Sequence, residues 1–170
     1  MSIRNLAIIV ILIIIVFLWY LFRPEKLFIS KTVNEEFPEV SSPDQTKSAN
    51  SPQVLFSGDF HNGAHETKGI ATIYALPEGK RVLRFTNFET SNGPEVHVYL
   101  IAADDATDSE TVKNTDHISL GPIKGNIGDQ NYDIPSDVDL SKYRAVTIWC
   151  QRFGVNFGTA PLTATQNRRG

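Results

Sequence analysis

The first feature of the chain is an unbroken apolar run of 17 residues from Leu6 to Phe22. At about 1.5 Å per helical residue this run would span roughly 26 Å, close to the roughly 30 Å of a bilayer core. Arg4 and Arg23 flank the run, and their long side chains can reach the interface on either side. Trp19 and Tyr20 lie near its carboxyl end, where an interfacial aromatic belt is expected. We therefore predict a membrane-spanning helix over 6–22.

A cleaved signal peptide is the alternative interpretation of this run. Its apolar region is usually shorter and ends at small residues that a peptidase cleaves. Here the run is followed by Arg23-Pro24-Glu25-Lys26, which contains no such site. We therefore expect an uncleaved signal anchor after a short amino-terminal flank, 1–5. Basic residues flank both ends of the run, so the positive-inside rule does not fix the orientation, and the charge count alone leans towards a cytoplasmic domain.

The next segment, 23–52, is predicted to be a flexible linker. Most of it reads SKTVNEEFPEVSSPDQTKSANSPQ, rich in serine, proline and charge and poor in apolar residues. As a random coil, these roughly 24 residues would separate their ends by about 27 Å. The last residues, 166–170, are predicted to form a polar tail.

Period-two alternation of apolar and polar residues dominates 53–165 and predicts strands. Turn signals recur about every ten residues, as in Pro77-Glu78-Gly79-Lys80 and Asn92-Gly93-Pro94. Between such turns, Val96, Val98 and Leu100 are expected to face inward, and His97 and Tyr99 outward. We therefore predict an all-β domain, an antiparallel sandwich or barrel of about eight strands.

The clearest strand pair is the stretch AVTIWCQRFGVNFGTAPL, 145–162. Alternation places apolar side chains on one face of each strand: Val146, Ile148 and Cys150 on the first, and Phe153, Val155 and Phe157 on the second. Cys150 is the single cysteine of the chain, so an intrachain disulfide framework is excluded.

Charge excludes one class of partner. The segment 51–166 carries 9 Lys and Arg against 14 Asp and Glu, although the whole chain has a net charge of only -3. An acidic domain repels phosphate backbones, so we predict no nucleic acid binding.

The candidate chemistry centres on Cys150. A lone cysteine on an apolar strand is usually a small buried side chain, whereas a reactive thiol needs nearby positive charge and exposure. A thiolate with one or two imidazoles, such as those of His65 and His97, would suit copper, zinc or haem iron, but no metal-ligand spacing motif is present. The acidic cluster in 102–116 lacks the spacing of a calcium loop, and no motif of a hydrolase appears.

A set of short motifs nevertheless resembles a known family. It begins with Gly58-Asp59-Phe60, His65 and Gly69, continues with Asn92-Gly93-Pro94 and Gly128-Asp129-Gln130-Asn131-Tyr132, and ends with Ile148-Trp149-Cys150 and Phe157-Gly158. Together these residues resemble the DM-thirteen domain over roughly 53–162. The resemblance implies a β-rich fold, an exported location and a role in electron transfer at the cell surface. It also implies that Cys150 occupies the family's redox position, as a free thiol or as a ligand of haem or another metal.

Two hypotheses follow for function. The first is a membrane-tethered redox module on the extracytoplasmic side, which uses Cys150, with His65 or His97 as further ligands, and a redox partner protein. The second is a non-catalytic cell-surface module that binds a ligand or protein, with Cys150 as part of the core. The sequence leaves both open.

Overall fold

The computed structural model describes residues 2–22, 29–38 and 51–165. Helix α1 spans Ile3–Phe22, begins three residues before the predicted segment, and is exposed along 3–20. By length and composition, Ile3–Tyr20 can cross a membrane or serve as a signal sequence. The predicted apolar helix is thus confirmed as a helix.

Ten strands follow in the described residues. They are β1 (Gln53–Asp59), β2 (His61–Asn62), β3 (Lys68–Ala75), β4 (Arg81–Glu89), β5 (Val96–Ile101), β6 (His117–Pro122), β7 (Gln130–Ile134), β8 (Ala145–Cys150), β9 (Val155–Pro161) and β10 (Thr163–Ala164). A short helix α2 (Ser109–Lys113) lies between β5 and β6, and a 3-10 turn (Pro77–Gly79) joins β3 to β4.

The strands form two antiparallel sheets of five strands each. The first has the order β10-β1-β3-β4-β7 and the second β2-β9-β8-β5-β6. The domain is therefore a sandwich and not a closed barrel, which settles the alternative that the sequence left open. Eight of the strands have five or more residues, as predicted; the two-residue strands β2 and β10 had no signal in the sequence.

The main core lies between the two sheets. Phe60, Phe85 and Phe88 meet there with ring centroids 4.9–5.3 Å apart, and the second sheet contributes apolar residues such as Val98 and Ile148. Edge-on and tilted rings at these separations add to the stabilisation from burial. Val96, Val98 and Leu100 all face this core, as predicted.

A second apolar cluster covers the opposite face of the second sheet. Tyr99 and Trp149 lie on that face and are only 5% and 8% exposed, because the segment 102–116 with α2 folds over them. Ala106 and Val112 of this segment complete the cluster. Tyr99 therefore points away from the main core, as predicted, but is buried all the same.

Phe153 does not belong to the strand on which the sequence pattern placed it. Strand β9 begins at Val155, and Phe153 lies in the preceding turn with 61% of its surface exposed. The physical reason is Gly154, whose φ of 61° lets the chain reverse directly after Cys150. The prediction that Phe153 shares a face with Val155 and Phe157 was wrong.

Residues 29–38 lie along the domain as an extended strap. Backbone hydrogen bonds join Val33 N to Ile127 O and Glu35 N to Asp129 O, both at 2.9 Å. Lys31 N donates to Asn126 Oδ1 at 2.7 Å. These ten residues belong to the segment for which we predicted a flexible linker; residues 23–28, 39–50 and the tail 166–170 lie outside the described part of the chain.

Side chains fasten the strap as well. The carboxylate of Glu35 accepts hydrogen bonds from Lys124 Nζ at 2.7 Å and from Asn131 N at 2.7 Å. Burial acts to raise the pKa of Glu35, but these bonds and the nearby cations outweigh it, so the pKa is lowered and the carboxylate stays charged. The ring of Phe37 packs edge-on against Tyr74 at 4.8 Å.

Two glycines make room for the strap. A Cβ atom at Gly125 would lie 2.3 Å from Lys31 O, and one at Gly128 would lie 2.1 Å from Val33 O. Gly128 also has a φ of 101°, whereas Gly125 is required by the close approach of the strap. The glycines of this loop therefore allow the strap to lie against it.

Replacing Gly125 by alanine should detach the strap without removing any hydrogen-bonding group. The added methyl collides with the Lys31 carbonyl, so the Val33, Glu35 and Ile127 amides should exchange hydrogen faster. We expect the exchange rates of these amides to rise about tenfold or more, because ~1.4 kcal/mol of local destabilisation changes a local opening equilibrium by that factor. Hydrogen exchange of the full chain in detergent measures this.

Gly79→Ala is the matched control. Unlike Gly125, Gly79 has a positive φ, so alanine strains the backbone there, but an added Cβ meets no atom within 4 Å. Gly79→Ala should therefore accelerate hydrogen exchange only of amides near the 77–79 turn. Equal acceleration of the strap amides in both variants would contradict the steric account.

Candidate functional site

Cys150 is the last residue of β8, and its side chain is completely buried. Alternation along β8 directs Val146, Ile148 and Cys150 into the main core. Across the sheet, Cys150 pairs with Val96 of β5 and Val155 of β9. The sulfur therefore lies among apolar side chains, the usual environment of a structural cysteine and also one that shields a thiol from solution.

The chain reverses tightly beyond Cys150. Gly154 N donates to Cys150 O at 2.9 Å, and Gln151 N donates to Glu95 O at 2.9 Å. Arg152 Nε lies 3.8 Å from Glu95 Oε2. The turn is thus held to the start of β5, which fixes the depth of Cys150 in the sheet.

His97 lies on the face opposite to Cys150. It pairs with Trp149 across the β5–β8 ladder, whereas its neighbour Val96 pairs with Cys150 and faces the main core. Its Nδ1 is buried and has no hydrogen-bond partner among the described residues. The sheet itself therefore separates the His97 imidazole from the Cys150 sulfur.

His65 lies in the loop before β3 and is half-buried. Its ring stacks on Phe157, with centroids 3.9 Å apart, and Phe157 belongs to the same main core as Cys150. His65 N also donates to Phe157 O at 3.3 Å. Of the two histidines, His65 is thus the one on the core side.

These placements bear on the predicted metal or haem site. In residues 2–22, 29–38 and 51–165, no group of three His, Cys, Asp or Glu side chains is close enough to hold a metal ion. Because His97 and Cys150 face opposite sides of one sheet, the three predicted ligands do not form one coordination sphere in this conformation. The residues do not fit a metal held jointly by Cys150, His65 and His97, and a role for each stays a prediction.

The acidic segment 102–116 is neutralised by partners. Its carboxylates pair with Arg144 (Asp104), His61 (Asp105), Lys113 (Glu110) and Lys142 (Asp116), and Asp108 caps α2 by accepting from Thr111 N at 2.7 Å. Each of these acids therefore serves the fold of the segment that covers Tyr99 and Trp149.

A groove of about 520 Å³ opens at the same end of the sandwich as Cys150. Its walls are the 92–97 segment, the 122–126 loop and the start of the strap at Ile29 and Lys31. Glu95 connects the groove to the 151–154 turn through the contacts described above. We refer to this end, made of 29–31, 90–97, 122–128 and 150–155, as the Cys150 end.

Sequence reasoning missed the strap and the exposure of Phe153. The strap had a weak signal in the alternation of Val33, Glu35 and Phe37 within an otherwise polar segment. Phe153 had one in the glycine that follows it, a residue typical of tight turns.

The model of the family described as "Electron transfer DM13" matches residues 59–162, which is more than half of the chain. The match covers β2 to β9, which is the whole second sheet and three strands of the first, and includes Cys150, His65 and His97. Comparison with curated proteins gave no significant match, and neither did comparison with solved structures.

Two variants of Cys150 distinguish packing from polarity in the core. Cys150→Ser buries a hydroxyl among apolar side chains and should lower the free energy of unfolding by about 1–3 kcal/mol. Cys150→Ala leaves only a small cavity and should cost about 1 kcal/mol. Urea denaturation of the full chain in detergent measures both, and a serine variant as stable as the wild type would contradict the apolar environment.

The pairing of His61 with Asp105 predicts that the local stability of the 102–116 segment depends on pH. His61 Nε2 lies 2.7 Å from Asp105 Oδ1; burial acts to lower the pKa of His61, but this hydrogen bond and the Asp105 charge outweigh it and raise the pKa. The stabilisation is therefore complete below the ordinary histidine pKa of about 6.5 and is lost as pH rises through the raised value.

Hydrogen exchange of the Ala106 amide, which donates to Asp105 Oδ1, should accelerate between pH 6 and pH 8 beyond the intrinsic change in exchange rate. His61→Gln should abolish this additional acceleration. An identical pH response in wild type and variant would show that His61 does not hold the segment.

Proposed function

Because the chain belongs to the DM13 electron-transfer family, we propose that it is a membrane-tethered redox module that acts through the thiol of Cys150. In this proposal α1 is an uncleaved anchor and the sandwich lies on the extracytoplasmic side. The observation that carries the proposal is the family match over 59–162, which contains Cys150 at the end of the central strand of the second sheet.

The dimensions of α1 support the anchor. Its 20 residues correspond to about 30 Å at 1.5 Å per residue, the thickness of a bilayer core. All described side chains of α1 are exposed, so the helix has no apolar partner within the domain. A lipid environment would cover this surface. The extracytoplasmic side is part of this proposal and is taken from the location that the family resemblance implies.

Burial constrains how Cys150 works. A thiol in direct exchange must be reached by the sulfur it attacks, and a fully buried Sγ is inaccessible until the 151–154 turn opens. Under this proposal Cys150 reacts slowly with added thiol reagents in the folded chain but affects the redox behaviour of the domain.

A second function is favoured by one specific observation. Cys150 is 0% exposed within the main core, as expected of a structural cysteine. On that basis the chain would be a cell-surface module that binds a ligand or protein through its loops, without redox chemistry of its own.

Spectroscopy of the full chain, purified in detergent from cells supplied with haem and transition metals, separates the two functions. The redox proposal predicts a visible absorption band, bound metal, or a reversible one-electron wave in protein-film voltammetry, and this signal should disappear in Cys150→Ala. Alanine is the better variant because it perturbs the core less than serine does.

Wild-type protein that is colourless, metal-free and silent in voltammetry would overturn the redox role of Cys150 and favour the binding module. Two controls, His65→Phe and His97→Leu, test the predicted ligands separately. Loss of the signal in either would assign that histidine to the site.

A further inference from the structure

The strap shortens the connection between α1 and the domain. Helix α1 ends at Phe22 and the described strap begins at Ile29, so the six residues 23–28 form the whole connection. Fully extended, the path from Phe22 to Ile29 measures about 25 Å at most. A flexible linker running to residue 52 would have allowed a far wider range of distances between α1 and the domain.

The position of the strap also selects one end of the sandwich. Thr32 pairs in parallel with Ile127, and the strap then runs alongside the start of β7 towards Phe37 and Tyr74. Its first residues therefore lie at the Cys150 end. When α1 is in a bilayer, this end is the one held nearest to the lipid headgroups, which extend about 5–8 Å beyond the hydrocarbon core.

Exposed apolar side chains at this end give a second, independent observation. Outside α1, four large apolar residues are exposed in the described chain, and only two have more than half of their surface exposed: Ile29 at 63% and Phe153 at 61%. Both belong to the Cys150 end. Val54 and Ile70, at 37% and 38%, lie on the first sheet.

The surroundings of Phe153 match those of an interfacial side chain. It is at the tip of a tight turn, next to Arg152, whose guanidinium is near Glu95. An aromatic ring at a turn tip can enter the headgroup region while the backbone stays outside it, and a neighbouring arginine can reach lipid phosphates.

From these two observations we propose that the Cys150 end is a lipid-docking surface, with Phe153 and Ile29 inserted into the membrane interface. This inference rests on the proposed anchoring of α1. It places the groove beside Glu95 and the β8–β9 turn against the bilayer surface, and so determines from which side a partner approaches Cys150.

Tryptophan scanning in liposomes tests the docking surface. In the full chain carrying Trp19→Phe, the variant Phe153→Trp is compared with Ser136→Trp, an exposed position after β7 at the opposite end of the sandwich. Vesicles of phosphatidylcholine with bromines near the glycerol ends of the chains quench only tryptophans at the interface. The Trp19→Phe chain, which retains Trp149, gives the baseline.

We expect quenching and a blue-shifted emission for Phe153→Trp, and for Ser136→Trp only baseline quenching with the red-shifted emission of an exposed indole. Ile29→Trp provides a second probe of the same surface should Phe153→Trp fold poorly. Absence of quenching in both Phe153→Trp and Ile29→Trp would overturn the docking surface. A blue shift without quenching would likewise overturn it, because it would indicate that a protein neighbour and not lipid covers the side chain.

Flotation of the same samples in a density gradient separates this inference from the proposed anchor. A chain that fails to float with the vesicles would overturn the anchor itself. A chain that floats but shows no quenching at the Cys150 end would retain the anchor and lose only the docking surface.

Discussion

Burial of β8 on both faces is the constraint on which the rest of this structure depends. All six residues of the strand are buried, three against the main core and three under the segment 102–116. A strand in this position must be central in its sheet, and β8 lies between β5 and β9. Its alternation assigns Cys150 to one face and Trp149 to the other. The position of the thiol is therefore a consequence of the fold and not of a local site.

The same alternation explains why the histidines and the cysteine do not meet. His97 is one residue from the strand partner of Cys150, yet one step along a strand changes the face of the sheet. His65 approaches the core from a loop and stacks on Phe157 instead of donating to a polar partner. Under the proposed function, the redox role therefore falls to the thiol of Cys150 without the two histidines as joint ligands.

The strap links this site to α1. Because 29–38 hydrogen-bonds along the 126–131 segment, only residues 23–28 separate α1 from a segment that is held against the sandwich. Gly125 and Gly128 have no side chain at the points of closest approach, so the loop and the strap depend on one another. Under the proposed function, the short connection to α1 would hold the buried thiol and the exposed turn beside it close to the bilayer surface.

The sequence by itself determined the elements that arise from local periodicity. An apolar run predicted α1, period-two alternation predicted the eight longer strands, and the motifs around Gly58, Asn92 and Cys150 indicated the family. Only the tertiary structure decided what depends on distant neighbours: two sheets instead of a barrel, the burial of Tyr99 under 102–116, the strap along 126–131 and the separation of His97 from Cys150. The reason is physical, since periodicity reports which residues share a face, whereas the partner that covers each face is set by contacts between residues far apart in the chain.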